Sequence, residues 1–210
     1  MKAVVYHGAG KPLALETLPD PEPGPDDAIV RVHRCGICGT DLHMTRGHQW
    51  DFPSGTVPGH EYAGEIVEVG SNVANFRKGD LITALPSTGC GHCEACYRGN
   101  LALCHNAPGV MGGYAELMRI PASVAIKLPS TLSLADGALI EPLAVGLHGT
   151  RLSQLQPGDR VLVLGAGSVA LCVIYWARRL GAGRIVALSR SQRRAAMAVD
   201  MGADAFVQYG

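Results

Sequence analysis

The spacing of apolar and polar residues predicts a β-rich first part of the chain. From Asp27 to His33, Ala28, Val30 and Val32 occupy every second position, which is the period of a half-buried strand. The same strand character recurs in four short runs separated by Gly, Pro and Asn-containing turns: Tyr62–Val73, Asp80–Leu85, Tyr114–Ile120 and Val124–Leu128. Several short strands before any clear helix predict a compact, barrel-like β domain.

The second part of the chain has the longer apolar runs of a parallel sheet. An apolar strand over Arg160–Leu164 ends at Gly165 and is followed by a helical stretch to Leu180 and a second strand over Arg184–Leu188. A helix over Arg193–Met201 and a strand beginning at Ala205 are predicted after it. We therefore predict a first domain over residues 1–145, with a separate lobe at 88–106, and the beginning of a second domain over 146–210.

The stretch from Val161 to Ala177 has no charged residue and needs to be distinguished from a membrane span. It is shorter than a usual span and contains Gly165 and Gly167, so a buried strand followed by a buried helix is the better interpretation. The 18 basic and 18 acidic residues give a net charge of zero, which offers no long-range attraction for nucleic acid or an anionic membrane. Small-molecule chemistry is expected.

The amino terminus reads as a strand and lacks the features of a signal peptide, which predicts a cytosolic protein. Because thiols stay reduced in the cytosol, the seven cysteines favour metal ligands over disulfides. Four of them follow the spacing C-x2-C-x2-C-x7-C and predict a tetrahedral structural zinc site: Cys90, Cys93, Cys96 and Cys104. The alternatives are unliganded cysteines, or a ligand set in which His92 or His105 replaces one thiolate.

A second group of metal-binding residue types lies earlier in the chain. Cys35–His43 contains two thiols, a hydroxyl, a carboxylate and an imidazole, and His60 with Glu61 follows seventeen residues later. These are the ligand types of a catalytic zinc. The Cys35-x-x-Cys38 pair also fits a redox dithiol, but that interpretation expects a neighbouring βαβ unit, and the predicted neighbours are β strands.

Taken together, these motifs resemble the zinc-dependent medium-chain alcohol or polyol dehydrogenases. The residues that carry the resemblance are Cys38-Gly-Thr40-Asp41-Leu-His43, Gly59-His60-Glu61-x-x-Gly64-x5-Gly70-x-x-Val73, the four-cysteine lobe, Glu141-Pro142 and Gly165-x-Gly167. The match runs through nearly the whole chain in the order of the family. It implies a GroES-like β-barrel catalytic domain followed by a Rossmann domain, a doubly wound parallel sheet that is incomplete here.

The resemblance also implies a role for each of these residues. Cys38 and His60 would bind the catalytic zinc, and the third ligand would be either Glu61 or Glu141. Asp41 would orient a ligand. Zinc would act as a Lewis acid on the alcohol while hydride passes to the nicotinamide, and Thr40 and His43 would carry the hydroxyl proton to solvent. Taken alone, Thr40 also fits a helix-starting hydroxyl and His43 a surface residue.

The segment from Gly165 to Ala170 follows a strand and opens a helix, which is the setting of a dinucleotide-binding turn. No acidic residue occurs between Arg160 and Val199, so the carboxylate that would bind the ribose hydroxyls of NAD is missing. Arginines follow the second strand instead, which favours NADP over NAD, unless they form only a solvated helix face. The predicted cofactor-binding residues are Gly165, Gly167, Ser168, Val169, Ser189, Arg190 and Arg194.

The predicted activity is hydride transfer between a secondary alcohol or polyol and NADP, with two zinc ions per chain. The partner is an alcohol or carbonyl compound, and a full-length form is expected to be a homo-oligomer, since family members continue well past Gly210. The alternatives are a non-catalytic zinc-binding fragment, an NAD-dependent enzyme and a thiol-disulfide oxidoreductase. The loop from Met44 to Pro58, with Trp50 and Phe52, is expected to line one side of the substrate pocket.

Overall fold

The computed structural model describes residues 1–47, 52–106 and 109–210. It divides into two compact units, Met1–Glu141 and Pro142–Gly210. No helix in the described ranges is both long enough and apolar enough to cross a bilayer. The uncharged stretch from Val161 to Ala177 forms a strand followed by most of a helix, as its glycines predicted.

The first unit is built on antiparallel strands. In chain order they are β1 (Lys2–Val5), β2 (Ala14–Thr17), β3 (Asp27–Cys35), β4 (Tyr62–Val69), β5 (Leu81–Ala84), β6 (Leu117–Pro121) and β7 (Ala125–Lys127). β1 and β2 pair with each other, and the other five form one sheet in the order β6-β3-β4-β5-β7. The predicted strand-rich architecture is therefore confirmed, and β2 is a strand that the sequence pattern did not reveal.

The core of this unit is formed by apolar side chains from β3, β4 and the neighbouring strands. Val30, Tyr62, Ile66, Ile82 and Ile120 are almost fully buried between the strands. Val32, also on the predicted inward face, is partly buried and packs against this core. β3 and β4 are irregular near Ile29 and between Val32 and Arg34, so the strand register shifts there. The pattern therefore predicts the buried positions Ala28 and Val30, but Ile29 on the opposite face is buried as well.

Among its described residues the first unit has three short helices: α1 (Gly39–Arg46), α2 (Glu94–Tyr97) and α3 (Leu134–Ala138). α1 lies in a stretch where the apolar pattern predicted no helix, although Thr40 taken alone fits a helix-starting hydroxyl. It begins at Cys38, whose backbone N–H donates to the Asp41 carboxylate, and it ends at Gly47 in the left-handed conformation. A helix therefore follows directly after the metal-binding cysteine.

The second unit has the parallel strand-helix-strand arrangement that the apolar runs predicted. Its elements are α4 (Ile140–Leu152), which begins at the end of the first unit, then β8 (Arg160–Leu164), α5 (Ser168–Arg179), β9 (Arg184–Ser189), α6 (Ala195–Asp200) and β10 (Ala205–Gln208). The strand order is β10-β9-β8, all parallel. α5 packs Leu171, Ile174 and Ala177 against Ile185 and Ala187 of β9. This sheet corresponds to the first part of a doubly wound fold.

Candidate metal centre and nucleotide site

Cys38, His60 and Glu61 come together at one end of the antiparallel sheet. Cys38 directly precedes α1, and His60 and Glu61 directly precede β4. Their ligand atoms all lie within 4.8 Å of one another. His60 and Glu61 are 9% and 6% exposed, so the donors are largely removed from water. One sulfur, one nitrogen and one carboxylate oxygen in this arrangement fit a zinc ion with an open fourth position.

Gly36 makes room for the carboxylate of Glu61. A methyl group at Gly36 would lie 2.2 Å from Oε2 of Glu61, which is far inside van der Waals contact. The backbone N–H of Gly36 also donates to the carbonyl of Glu61 at 2.7 Å. The glycine after Cys35 therefore fixes the Glu61 backbone and leaves space for its side chain.

Asp41 lies behind His60 and is almost fully buried, at 3% exposure. Its Oδ2 accepts the Cys38 N–H at 2.9 Å, while its Oδ1 faces Nδ1 of His60 at 3.8 Å. Both Oδ1 of Asp41 and Nδ1 of His60 are buried without a hydrogen-bond partner among the described residues. Because Nδ1 faces Asp41, Nε2 is the nitrogen left for a metal, which is the usual carboxylate-histidine arrangement of zinc sites.

Burial and neighbouring charges shift the pKa values of His60 and Glu141. A hydrogen bond with the Cys38 side chain raises the pKa of His60; burial opposes the rise, and the Asp41 charge adds to it. Glu141, in the first turn of α4, is half-buried and lies outside the group of three ligand atoms. Burial raises the pKa of Glu141, His60 opposes this rise, and the charge of Glu61 adds to it.

Thr40 and His43 both lie on α1, three residues apart, where side chains share a face. Thr40 is half-buried and His43 is exposed. In the expected substrate loop, Phe52 is half-buried, and Trp50 lies outside the described residues. Each of these residues keeps the role predicted for it as a hypothesis.

Cys35 differs from Cys38 in its surroundings. Its sulfur is closely packed, since a methyl group at Gly113 would lie 2.6 Å from it. Burial, more than the nearby Asp41 charge, raises the pKa of the Cys35 thiol to about 12. A thiol that stays protonated is a poor nucleophile, so this environment does not favour a redox dithiol.

The four cysteines of the separate lobe also converge. The sulfurs of Cys90, Cys93, Cys96 and Cys104 lie within 4.8 Å of one another. The Cys93–Cys96 and Cys90–Cys96 sulfur distances are 3.5 and 3.9 Å, close to the separation of about 3.8 Å set by a tetrahedral zinc with Zn–S bonds of about 2.3 Å. The pKa of Cys104 falls to about 7, chiefly because the backbone N–H of Cys90 donates to its sulfur.

His92 and His105, the two alternative ligands, are not among the four converging side chains. Nδ1 of His92 lies 2.7 Å from the carbonyl of Cys90, and both histidines are exposed. The four-thiolate set is therefore the arrangement that the geometry favours.

The glycine turn of the second unit lies between β8 and α5. Gly165 has φ +119°, a conformation that favours glycine, and its N–H donates to the Leu188 carbonyl at 2.7 Å. Gly167 precedes the first turn of α5, and a methyl group there would meet no atom within 4 Å. Ser168 and Val169 begin the helix and are exposed. The open space over this helix start fits the close approach of a pyrophosphate.

A cavity of about 220 Å³ lies beside this turn. Its described lining consists of Ala166, Gly167, Ser189, Ser191, Arg193 and Arg194. Nη1 of Arg194 donates to the carbonyl of Ala166 at 3.1 Å, which ties this arginine to the glycine turn. Arg190 is exposed and lies outside the described lining, while Ser191 and Arg193 are lining residues that the sequence analysis did not select.

Tyr114 is the residue of the first site that the sequence analysis missed. Its hydroxyl lies 2.7 Å from Oδ2 of Asp41, although 73 positions separate the two residues. Burial, followed by the hydrogen bond to Asp41, raises the pKa of Tyr114 above its ordinary value. The only local signal is the Gly112-Gly113 pair before it, which indicates a close backbone approach without saying to what.

Comparison with known proteins finds relatives that share one family. The model of the alcohol dehydrogenase GroES-like domain matches residues 24–130. Sorbitol dehydrogenase of Bacillus subtilis (strain 168) is 36% identical over 211 residues, which cover 97% of this chain and 60% of that protein. L-idonate 5-dehydrogenase of Vitis vinifera is 36% identical, with 94% of this chain and 56% of that protein covered. The chain thus spans about 60% of the length of such relatives.

Among solved structures, a protein described as a zinc-binding dehydrogenase from Sinorhizobium meliloti 1021, bound to NADP, is 37% identical with a TM-score of 0.93. The match covers 99% of this chain and 61% of that one. The structural similarity, the order of the motifs and the matching family model agree with one another.

Proposed function

The chain belongs to the alcohol dehydrogenase family with a GroES-like domain, and on this premise we propose that it is the zinc-binding and cofactor-binding part of an NADP-dependent dehydrogenase. The proposed reaction converts a secondary alcohol or polyol and NADP⁺ into the carbonyl compound, NADPH and a proton. The observation that carries the proposal is the convergence of Cys38, His60 and Glu61 within 4.8 Å, with Asp41 behind His60.

Cys38, His60 and Glu61 are the proposed protein ligands of the catalytic zinc. Glu61 is preferred over Glu141 because its carboxylate lies in the group of converging ligand atoms, whereas that of Glu141 does not. When bound, zinc supplies a Lewis acid that lowers the pKa of the alcohol. The charges of His60 and Glu61 both act on Glu141, in opposite directions on its pKa, so Glu141 stays the alternative third ligand.

The other residues of the chain orient groups and move the proton. Asp41 holds His60 in the tautomer that presents Nε2 to the metal. Oγ1 of Thr40 accepts the proton of the alcohol as its own hydroxyl proton leaves towards the cofactor ribose and His43. His43, on the exposed side of α1, hands a proton to solvent. Bound NADP⁺ would supply the nicotinamide that accepts the hydride.

We expect the cofactor pyrophosphate to bind over the helix start, at Gly165, Gly167, Ser168 and Val169. The 2′-phosphate is expected to bind at Ser189 and Arg194. Arg190 follows β9 and adds positive charge near this site. Ser191 and Arg193 line the same cavity and are further candidate contacts of the 2′-phosphate. NADP is preferred because arginines lie where an NAD enzyme needs a carboxylate. The NADP bound to the Sinorhizobium meliloti protein supports the same choice.

The structural zinc site at Cys90, Cys93, Cys96 and Cys104 is part of the same proposal. A cytoplasmic location is proposed because five of the seven cysteines are proposed zinc ligands, and a reducing compartment keeps such thiols out of disulfides. The proposed partner is a small alcohol or carbonyl compound, and a protein of the relatives' full length is proposed to be a homo-oligomer.

Metal analysis and turnover test this proposal together. The purified chain is expected to hold two zinc ions, with one lost in Cys38→Ser and the other lost in Cys90→Ser. Cys172→Ser, which changes a buried cysteine of α5, serves as the control and is expected to keep both ions. A wild-type chain with a single zinc that Cys38→Ser does not remove would contradict the catalytic site.

Activity of the chain is measured with a panel of polyols and secondary alcohols and with both nicotinamide cofactors. NADP-dependent oxidation that Cys38→Ser abolishes is the expected result. Two bound zinc ions without hydride transfer would favour the non-catalytic zinc-binding alternative.

A further inference from the structure

We propose that Tyr114 is a positioning residue of the metal centre at Cys38, His60 and Glu61, acting through the carboxylate of Asp41. This inference rests on the proposed function, since it assigns a role at the same site. It concerns a residue that lies far from the metal-binding motifs in sequence and belongs to the segment leading into β6.

The hydroxyl of Tyr114 contributes the second of two hydrogen bonds that fix one oxygen of Asp41. Oδ2 of Asp41 accepts the backbone N–H of Cys38 at 2.9 Å and the Tyr114 hydroxyl at 2.7 Å. The hydroxyl also lies 3.2 Å from the Gly36 carbonyl, but its single proton goes to the closer, charged acceptor. Because Oδ2 accepts hydrogen bonds from both the Cys38 N–H and the Tyr114 hydroxyl, rotation of the Asp41 carboxylate is restricted.

That orientation directs Oδ1 of Asp41 at Nδ1 of His60. The two atoms are 3.8 Å apart and have no other hydrogen-bond partner among the described residues. At 3.8 Å the two atoms face each other but are farther apart than a hydrogen bond allows. Without the Tyr114 hydroxyl, only the Cys38 N–H would hold the carboxylate, and the torsion about its terminal bond would become free.

The backbone around Tyr114 is fixed to the segment that carries His60. The N–H groups of Gly112 and Gly113 donate to the Gly59 carbonyl at 3.1 and 2.9 Å, and the N–H of Tyr114 donates to the Pro58 carbonyl at 3.0 Å. Three hydrogen bonds to two consecutive carbonyls form a rigid support. The phenol therefore reaches Asp41 from a fixed backbone position.

The side chain of Tyr114 also needs the glycine before His60. Gly59 has φ +92°, and a methyl group there would lie 2.6 Å from Cδ1 of the Tyr114 ring. The glycine of the Gly59-His60-Glu61 motif thus leaves the space that the aromatic ring occupies. The ring, the hydroxyl and the backbone of Tyr114 all contact the residues that orient His60.

The test compares Tyr114→Phe with wild type in metal binding. Each chain is titrated with Co²⁺, and the bands of the proposed site are identified by their loss in Cys38→Ser. Tyr114→Phe is expected to weaken metal binding at this site about 10-fold or more, as removal of a group that orients a ligand does. It is also expected to shift the absorption bands of the bound Co²⁺, because the histidine ligand loses its fixed orientation.

Tyr62→Phe is the matched control, because Tyr62 is buried beside the same site and its hydroxyl has no hydrogen-bond partner among the described residues. It is expected to keep the Co²⁺ affinity and spectrum of wild type. A Tyr114→Phe chain that loses thermal stability but keeps the wild-type Co²⁺ affinity and bands would overturn the inference. A wild-type chain without Co²⁺ bands that depend on Cys38 would overturn the proposed function as well.

A double-mutant cycle with Asp41→Asn separates an effect through Asp41 from a direct one. If Tyr114 acts through Asp41, Tyr114→Phe has little further effect on Co²⁺ affinity once Asp41 is replaced. Fully additive losses would contradict this route.

Discussion

Oδ1 of Asp41 and Nδ1 of His60 face each other at 3.8 Å, and both are buried without another hydrogen-bond partner among the described residues. A buried carboxylate and a buried imidazole nitrogen are costly to leave unpaired. If a metal were bound at Nε2 of His60, the Nδ1–H of the same ring could donate a hydrogen bond to Oδ1 of Asp41. Both buried atoms would then have a partner. The Asp41–His60 pair is therefore the contact by which the folded chain would orient the proposed histidine ligand.

Asp41→Asn is expected to weaken zinc binding at the Cys38 site by about 10- to 100-fold, because an amide cannot replace the charge that faces His60. Chelator competition with the purified chain measures the loss. Asp136→Asn is the matched control, since Asp136 also accepts a backbone N–H at the start of a helix, in α3. An equal loss of zinc in both variants would mean that helix capping alone explains the effect.

Gly36→Ala is expected to displace Glu61, because the added methyl group would lie 2.2 Å from its Oε2. Overpacking of this kind costs about 1–3 kcal/mol and should also weaken zinc binding at the Cys38 site. Zinc content and thermal unfolding are the measurements.

Gly39→Ala provides the comparison within the same motif. A methyl group at Gly39 meets no atom within 4 Å, and alanine is favoured over glycine in a helix by up to about 1 kcal/mol. This variant is expected to keep its zinc. If Gly36→Ala behaved in the same way, Glu61 would not need its present position for metal binding.

Arg193→Ala is expected to weaken binding of NADP by about 10- to 100-fold, since a hydrogen bond to a charged group contributes about 1.5–3 kcal/mol. Binding of NAD should change little, because it lacks the 2′-phosphate. Calorimetry with both cofactors measures the difference. Arg190→Ala, outside the described cavity lining, is expected to have the smaller effect, and the reverse order would assign the phosphate to the end of β9.

Asp204→Asn is expected to lower the thermal stability of the second unit at neutral pH. Asp204 accepts the Ile185 N–H and pairs with Arg178, both at 2.6 Å, and these contacts lower its pKa, the backbone N–H contributing most. A folded-state pKa below the unfolded value gives stability that is present above about pH 4 and lost as the pH falls through the folded pKa.

The measurement is the melting temperature of wild type and Asp204→Asn across the acidic range. The two curves should differ at neutral pH and approach each other in strong acid, where Asp204 is protonated. Asp200→Asn, at the exposed end of α6, is the control and should follow wild type throughout. A difference that persists unchanged in acid would show that the carboxylate charge is not its cause.

The secondary structure of this protein was largely predictable because its pattern is local. Alternation at Ala28, Val30 and Val32 gave β3, and the apolar run ending at Gly165 gave β8. The apolar pattern did not predict the helix α1, whose only sequence signal was the helix-starting hydroxyl that Thr40 could supply. Its eight residues contain few apolar positions, and it is stabilised by the bond between Asp41 and the Cys38 N–H. Such a capping bond is visible only once the turn has formed.

The sequence by itself indicated the chemistry of the candidate sites, because residue type and spacing fix which donors are available: four thiolates in one site, and cysteine, histidine and carboxylate donors in the other. The resemblance to a family then selected Cys38, His60 and either Glu61 or Glu141. The tertiary structure separated Glu61 from Glu141 and brought Tyr114 to Asp41 across 73 residues. The physical reason is that hydrogen bonds and metal ligation depend on distances of a few ångströms, which strand pairing and loop packing set.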